Sequence, residues 1–91
     1  MSETARTHVV VHGQVQGVFF RDTTRREALA RGVSGWVCNR RDGAVEAVFE
    51  GEPGAVRRLV EFCERGPRGA SVERVETADE DPEGLSGFDV R

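Results

Sequence analysis

The chain has 91 residues, with 13 basic and 16 acidic side chains and a formal net charge of −3. That length holds one domain, long enough for a single core without disulfide or metal staples. Every basic residue is Arg and there is no Tyr, which excludes a Schiff-base or P-loop lysine and a tyrosyl acid or nucleophile, while the acidic balance argues against a general nucleic-acid binder.

Residues 1–6 read as a flexible leader, and residues 7–91 as one domain. Residues 7–12, Thr-His-Val-Val-Val-His, are β-branched and short, which predicts a strand. A glycine-bracketed loop follows over residues 13–18. Good helix formers over residues 22–31 predict a weakly amphipathic helix that stops at Gly32. Residues 33–39 predict a second strand, and Asp42-Gly43 is a strong hairpin signal. Residues 44–51 predict a third strand, with Val45, Ala47 and Phe49 on an apolar face and Glu46, Val48 and Glu50 on a mostly solvated one.

Glu52-Pro53 opens a second helix, with Pro suited to its first position. Val56, Leu59, Val60 and Cys63 fall on one stripe of it, and Gly66-Pro67 ends it. Residues 72–77 predict a fourth strand, residues 79–84 an acidic solvated turn, and Phe88 and Val90 a short last strand. The order is β-α-β-β-α-β plus a terminal strand. Right-handed crossovers put both helices on one sheet face. The expected fold is therefore α+β: a ferredoxin-like split β-α-β sandwich, with an antiparallel sheet of four to five strands and two helices on one face.

Candidate chemistry begins in the glycine loop. A loop leading from a strand into a helix can turn successive N–H groups inward as an anion nest, and the helix N-terminus adds partial positive charge. Arg21 stands where loop meets helix, placed to put a planar fork on the same anion. On loop composition alone, a structural loop followed by a surface Arg is the better fit. Asn39 ends the second strand, where an isolated Asn more often caps a turn. The first two strands run parallel in such a unit, however, so the loop and Asn39 share one rim, and Arg21 and Asn39 can face one pocket.

His8 and His12 lie four residues apart on one strand face, roughly 13 Å, too far to share a metal easily. They are expected to be half-exposed sheet residues. Cys38 reads as an inert strand residue rather than a reactive thiol, and Trp36 as sheet packing rather than a stacking platform. Arg40 and Arg41 are placed on a solvated hairpin, where they raise the local potential for an anion. The two cysteines, Cys38 and Cys63, have neither metal-ligand spacing nor a disulfide framework, which fits a reducing compartment. No apolar run approaches membrane-spanning length, and residues 1–7 lack a signal core. A cytoplasmic location is expected, with no membrane or nucleic-acid partner and nothing that demands an oligomer, so a monomer.

Two long segments carry a resemblance. Gly13-Gln14-Val15-Gln16-Gly17-Val18-Phe19-Phe20-Arg21 fits the first signature of the acylphosphatase family, Gly-x-Val-Gln-Gly-Val-x-(Phe or Met)-Arg. Gly35-Trp36-Val37-Cys38-Asn39-Arg40-Arg41-Asp42-Gly43-Ala44-Val45, followed after five further residues by Gly51, fits the second. Cys38 stands where the family often has a longer polar or basic side chain. The resemblance covers residues 7–91 and implies an acylphosphatase, a hydrolase that splits the carboxyl-phosphate bond of acyl phosphates into a carboxylate and inorganic phosphate. It implies that Arg21 and the N–H groups of Gln16, Gly17, Val18, Phe19, Phe20 and Arg21 hold the phosphate. It implies further that Asn39 orients the attacking water. No metal and no cofactor are expected, and inorganic phosphate is expected as both product and competitive inhibitor.

The chemistry is consistent with so sparse a set of groups. Phosphoryl transfer asks mainly for positioning and charge stabilisation. A carboxylate, with an acid pKa near about 4, leaves without a general acid. A phosphate oxygen of the substrate can take the water's proton. Two other classes fit less well. A non-catalytic anion-binding module does not call for both Arg21 and Asn39, and an RNA-recognition sheet calls for exposed aromatics and a basic surplus. The zinc-finger cysteines of larger carbamoyl-phosphate-handling proteins are missing, which favours a stand-alone enzyme.

Overall fold

The computed structural model describes residues 3–91. Seven elements follow in chain order: β1 (Ala5–Gln14), α1 (Phe20–Ala30), β2 (Ser34–Asn39), β3 (Val45–Gly51), α2 (Pro53–Arg65), β4 (Ser71–Glu80) and β5 (Phe88–Val90). The sheet order is β4-β1-β3-β2-β5, with both helices packed on the sheet. This is the expected ferredoxin-like sandwich.

Alternation in the strands decides which side chains meet the helices. Val9, Val11, Val37, Val45, Ala47 and Phe49 are at most 1% exposed and face Val56, Leu59, Phe62 and Cys63 of α2 and Phe20 and Ala28 of α1. The weak stripe of α1 is Phe20, Thr24 and Ala28, four residues apart, with the buried Thr24 hydroxyl donating to the Phe20 carbonyl at 2.7 Å. Sequence reading starts this helix at Asp22 and misses the anchoring role of Phe20. In α2, Phe62 is buried beside the expected stripe and Val60 is only half-buried. Glu52 caps α2, its carboxylate accepting from the N–H groups of Gly54 and Ala55 at 3.0 and 2.9 Å.

Four expectations need correction. First, residues 5 and 6 belong to the sheet and not to a leader. Met1 and Ser2 lie outside the described residues, but Ala5 and Arg6 already pair with Gly51 and Glu50 in β1. Arg6 is held there by ion pairs to Glu50 at 3.2 Å, Glu80 at 2.8 Å and Glu83 at 3.5 Å. Second, the outer face of β3 is mostly covered rather than mostly solvated: Val48 and Glu50 are 1% and 3% exposed, and Glu46 is half-buried. β3 is the central strand, and the outward side chains of its neighbours, with the His8 and Trp36 rings 6.5 Å apart, crowd that face.

Third, the acidic segment is not a free turn. Asp79 and Glu80 complete the ten-residue β4. Beyond them the chain crosses the end of the sheet, and the N–H groups of Glu83, Gly84 and Leu85 donate to the Glu50 carboxylate at 3.0, 2.7 and 2.8 Å. Burial alone pushes the Glu50 carboxyl up. The Glu83 and Leu85 amides, the Arg6 guanidinium and the Gly84 amide outweigh that and hold it below the usual carboxylate value. Fourth, the sheet is mixed. The crossing segment delivers β5 to the end where β2 begins, so β5 runs parallel to β2, while the other pairs are antiparallel. Gly35 makes the closest approach there: at φ 142° its missing Cβ would collide with the Val48 carbonyl oxygen.

Candidate active site

The segment between β1 and α1 is shaped by two left-handed residues. Gly17 has φ 75°, and Phe19, the only described non-glycine with positive φ, has φ 60° and ψ 27°. Val18 between them does not, and such alternation curls successive N–H groups into one concavity. Among the described residues, the backbone N–H groups of Gln16, Gly17, Val18, Phe19, Phe20 and Arg21 donate to no protein acceptor. They open at the start of α1, where the helix dipole is positive.

Side-chain bonds fix the segment at both ends. The Gln16 amide nitrogen donates to the carbonyls of Arg40 and Ala44 at 2.8 and 3.0 Å, tying the loop to the β2–β3 hairpin. That hairpin is itself held by Asp42, whose carboxylate accepts from the Ala44 N–H at 3.0 Å and from Arg40 at 3.0 Å. The Ala44 amide above all, helped by the Arg40 charge, keeps the Asp42 carboxyl below its ordinary value against the opposing cost of desolvation. At the other end, Thr23 donates both its N–H and its hydroxyl to the Phe19 carbonyl, at 3.0 and 2.8 Å.

These elements enclose a pocket of about 260 Å³ lined by Val15, Gly17, Phe19, Phe20, Arg21, Asp22 and Asn39. Arg21, at the start of α1, and Asn39, at the end of β2, therefore share one pocket. Arg21 is half-buried and donates through Nη1 to the main-chain oxygen of Arg91 at 3.1 Å. Gln16 and Val18 do not line this pocket; the Gln16 side chain is committed to the hairpin. What these two residues can offer it is backbone N–H.

Sequence reasoning missed Asp22 and the main-chain oxygen of Arg91. Asp22 follows Arg21 directly and carries a first-turn carboxylate, a visible signal. It is paired with Arg26 at 3.1 Å. Nothing in the sequence marked Arg91. Its guanidinium lies 4.5 Å above the Trp36 ring, so Trp36 packs within the open sheet face as expected.

The remaining candidates stand apart from the pocket. Cys38 is half-buried and 4.0 Å from Glu46. Burial and then Glu46 push its thiol up, against the pull of Arg91, Arg21 and Arg40. His8 and His12 each take a separate carboxylate, Glu46 and Glu76, both at 2.6 Å. No group of three or more His, Cys, Asp or Glu among the described residues is placed to hold a metal. No described helix is long and apolar enough to cross a membrane.

Comparison with known proteins decides the family. The acylphosphatase family model matches residues 7–90. The chain belongs to the acylphosphatase family. An acylphosphatase of Gloeobacter violaceus is 54% identical over 90 residues, covering 99% of this chain and 97% of its own. The acylphosphatase structure from Coxiella burnetii superposes with a TM-score of 0.92 at 40% identity, over 97% of this chain and 93% of that one. The acylphosphatase structure from Bacillus subtilis gives 0.92 at 34% identity, over 96% and 98%. As a member of this family the protein is a hydrolase of acyl phosphates.

Proposed function

We propose that hydrolysis proceeds by water held on Asn39, with the substrate phosphate gripped by Arg21 and the N–H groups of Gln16 through Arg21. One observation carries this reading. A guanidinium and a carboxamide from separate elements line one pocket, beside a run of N–H groups that have no protein acceptor. An acyl phosphate brings its dianionic end to that run. Arg21 adds a planar fork of donors to the equatorial oxygens, where charge is greatest as the bond breaks.

The Asn39 amide can accept one hydrogen bond from water and donate to a neighbouring oxygen, which sets the line of attack. The water oxygen bonds to phosphorus, the bond from phosphorus to the acyl oxygen breaks, and its electron pair leaves with the carboxylate. The water's proton passes to a phosphate oxygen. Positive charge comes from Arg21, the amides and the start of α1. Asp22 lines the same pocket and pairs with Arg26 at 3.1 Å at the exposed start of α1.

Release of inorganic phosphate from acetyl phosphate and benzoyl phosphate, measured with purified protein before and after exhaustive treatment with EDTA, tests the reading. Turnover of both is expected, unchanged by chelation and inhibited competitively by inorganic phosphate. No turnover of either would overturn it. A loss on chelation that Mg²⁺ restores would overturn the assignment of the positive charge to Arg21 and the amides.

A further inference from the structure

Phe19 is anomalous in three ways. Its backbone is left-handed, at φ 60°, a conformation that strains a bulky residue and costs Gly nothing. Its side chain is 80% exposed, so folding gains almost no burial from the ring. Its carbonyl is nonetheless fixed by both donors of Thr23, at 3.0 and 2.8 Å, so a ring that packs on little else stands on a rigid base.

The surroundings supply a use for it. Phe19 and Asp22 line both the Arg21–Asn39 pocket and a second groove of about 460 Å³, to which Val18, Thr23, Arg26, Pro67 and Arg68 also contribute. Asn39 lines the first pocket and not the groove. In-line displacement places the leaving group opposite the attacking water. With water on Asn39 and the phosphate on the amides, the acyl group leaves on the side away from Asn39, and of the residues that line the pocket Phe19 and Asp22 are the two that continue into the groove.

We propose that Phe19 is a specificity-determining residue of this site, its ring the platform on which the acyl group packs, favouring acyl phosphates with an aromatic or bulky apolar acyl group. The inference rests on the catalytic reading above. The strained residue then has a function that Gly cannot fill: Gly would build the same curl of N–H groups but leave the acyl group in water. Val18 and Pro67 continue the apolar surface beyond the ring.

Specificity is a ratio of kcat/KM values, so the test compares benzoyl phosphate, whose phenyl covers the ring, with acetyl phosphate, whose methyl does not. Phe19→Ala removes the platform. Phe19→Gly removes it and also relieves the left-handed strain, which provides a folded variant if the Ala chain is unstable. The benzoyl-to-acetyl ratio is expected to fall about fivefold in both variants, whatever happens to the absolute rates, and to survive in Phe19→Tyr. An unchanged ratio in the folded Ala or Gly variant would overturn the platform and leave the catalytic reading standing. A wild-type protein that hydrolyses neither compound would overturn the catalytic reading itself.

Discussion

The Arg21 guanidinium donates to the main-chain oxygen of Arg91 at 3.1 Å, across 70 positions of sequence. The partner is delivered by β5, and Arg91 is fixed in turn by its own N–H donating to the Val37 carbonyl at 2.9 Å. One side of the guanidinium is thus held by the chain, and the remaining donors are left for an anion.

That arrangement makes Arg21→Lys nearly as damaging as Arg21→Ala. Lys keeps the charge but has no planar fork, and cannot serve a fixed backbone oxygen and a phosphate in the same geometry. A loss of roughly 100-fold or more in kcat/KM on acetyl phosphate is expected. A lysine variant within a few-fold of wild type would reduce Arg21 to a diffuse charge.

Asn39→Ala is expected to lower kcat by roughly 100-fold or more and leave phosphate inhibition nearly unchanged, because its assigned partner is the water. If Asn39 were only a hairpin residue, the same substitution would cost about 1 kcal/mol of stability and spare turnover. Structurally the hairpin is closed by Asp42 and Gln16, which take the N–H and carbonyl groups there. Measuring kcat, phosphate inhibition and thermal midpoint on one variant separates the two roles.

Phosphate titration followed by NMR is expected to give its largest amide shifts at Gln16 through Arg21. These N–H groups have no protein acceptor to displace, so an anion meets them directly. Shifts centred on α2 would move the anion site elsewhere; the start of that helix is already occupied by the Glu52 carboxylate.

Glu50 is expected to contribute to stability on the acid side. Its carboxyl lies below the ordinary carboxylate value when folded. The stability it contributes is therefore complete above its unfolded pKa, near about 4.3, and is lost as pH falls through the lower folded value. Glu50→Gln leaves Arg6 short of a buried partner and should cost about 3 kcal/mol at neutral pH. It should also flatten the fall in stability on the acid side. Urea unfolding at neutral pH and at about pH 2.5 checks both; parallel losses in wild type and variant would show that other carboxylates govern the acid limb.

Residue pattern alone determined the element order and the pairing of the two helices with one sheet face, and it allowed Arg21 and Asn39 to face one pocket, which both of them line. Those conclusions rest on alternation, turn chemistry and motif spacing, all local in the chain. The burial of Val48 and Glu50 was not legible, because outward residues of a central strand are covered by neighbours that sequence does not place beside them. The same holds for residues 79–84: their charge predicts solvation, and only the buried Glu50 carboxylate explains why the backbone beyond β4 turns inward to it. The direction of β5 follows from that crossing, and with it the placement of Arg91 against Arg21. Phe19 belongs with these. Its left-handed backbone and bare ring result from how β1, α1 and the hairpin constrain the loop between them, which the identity of a single Phe does not encode.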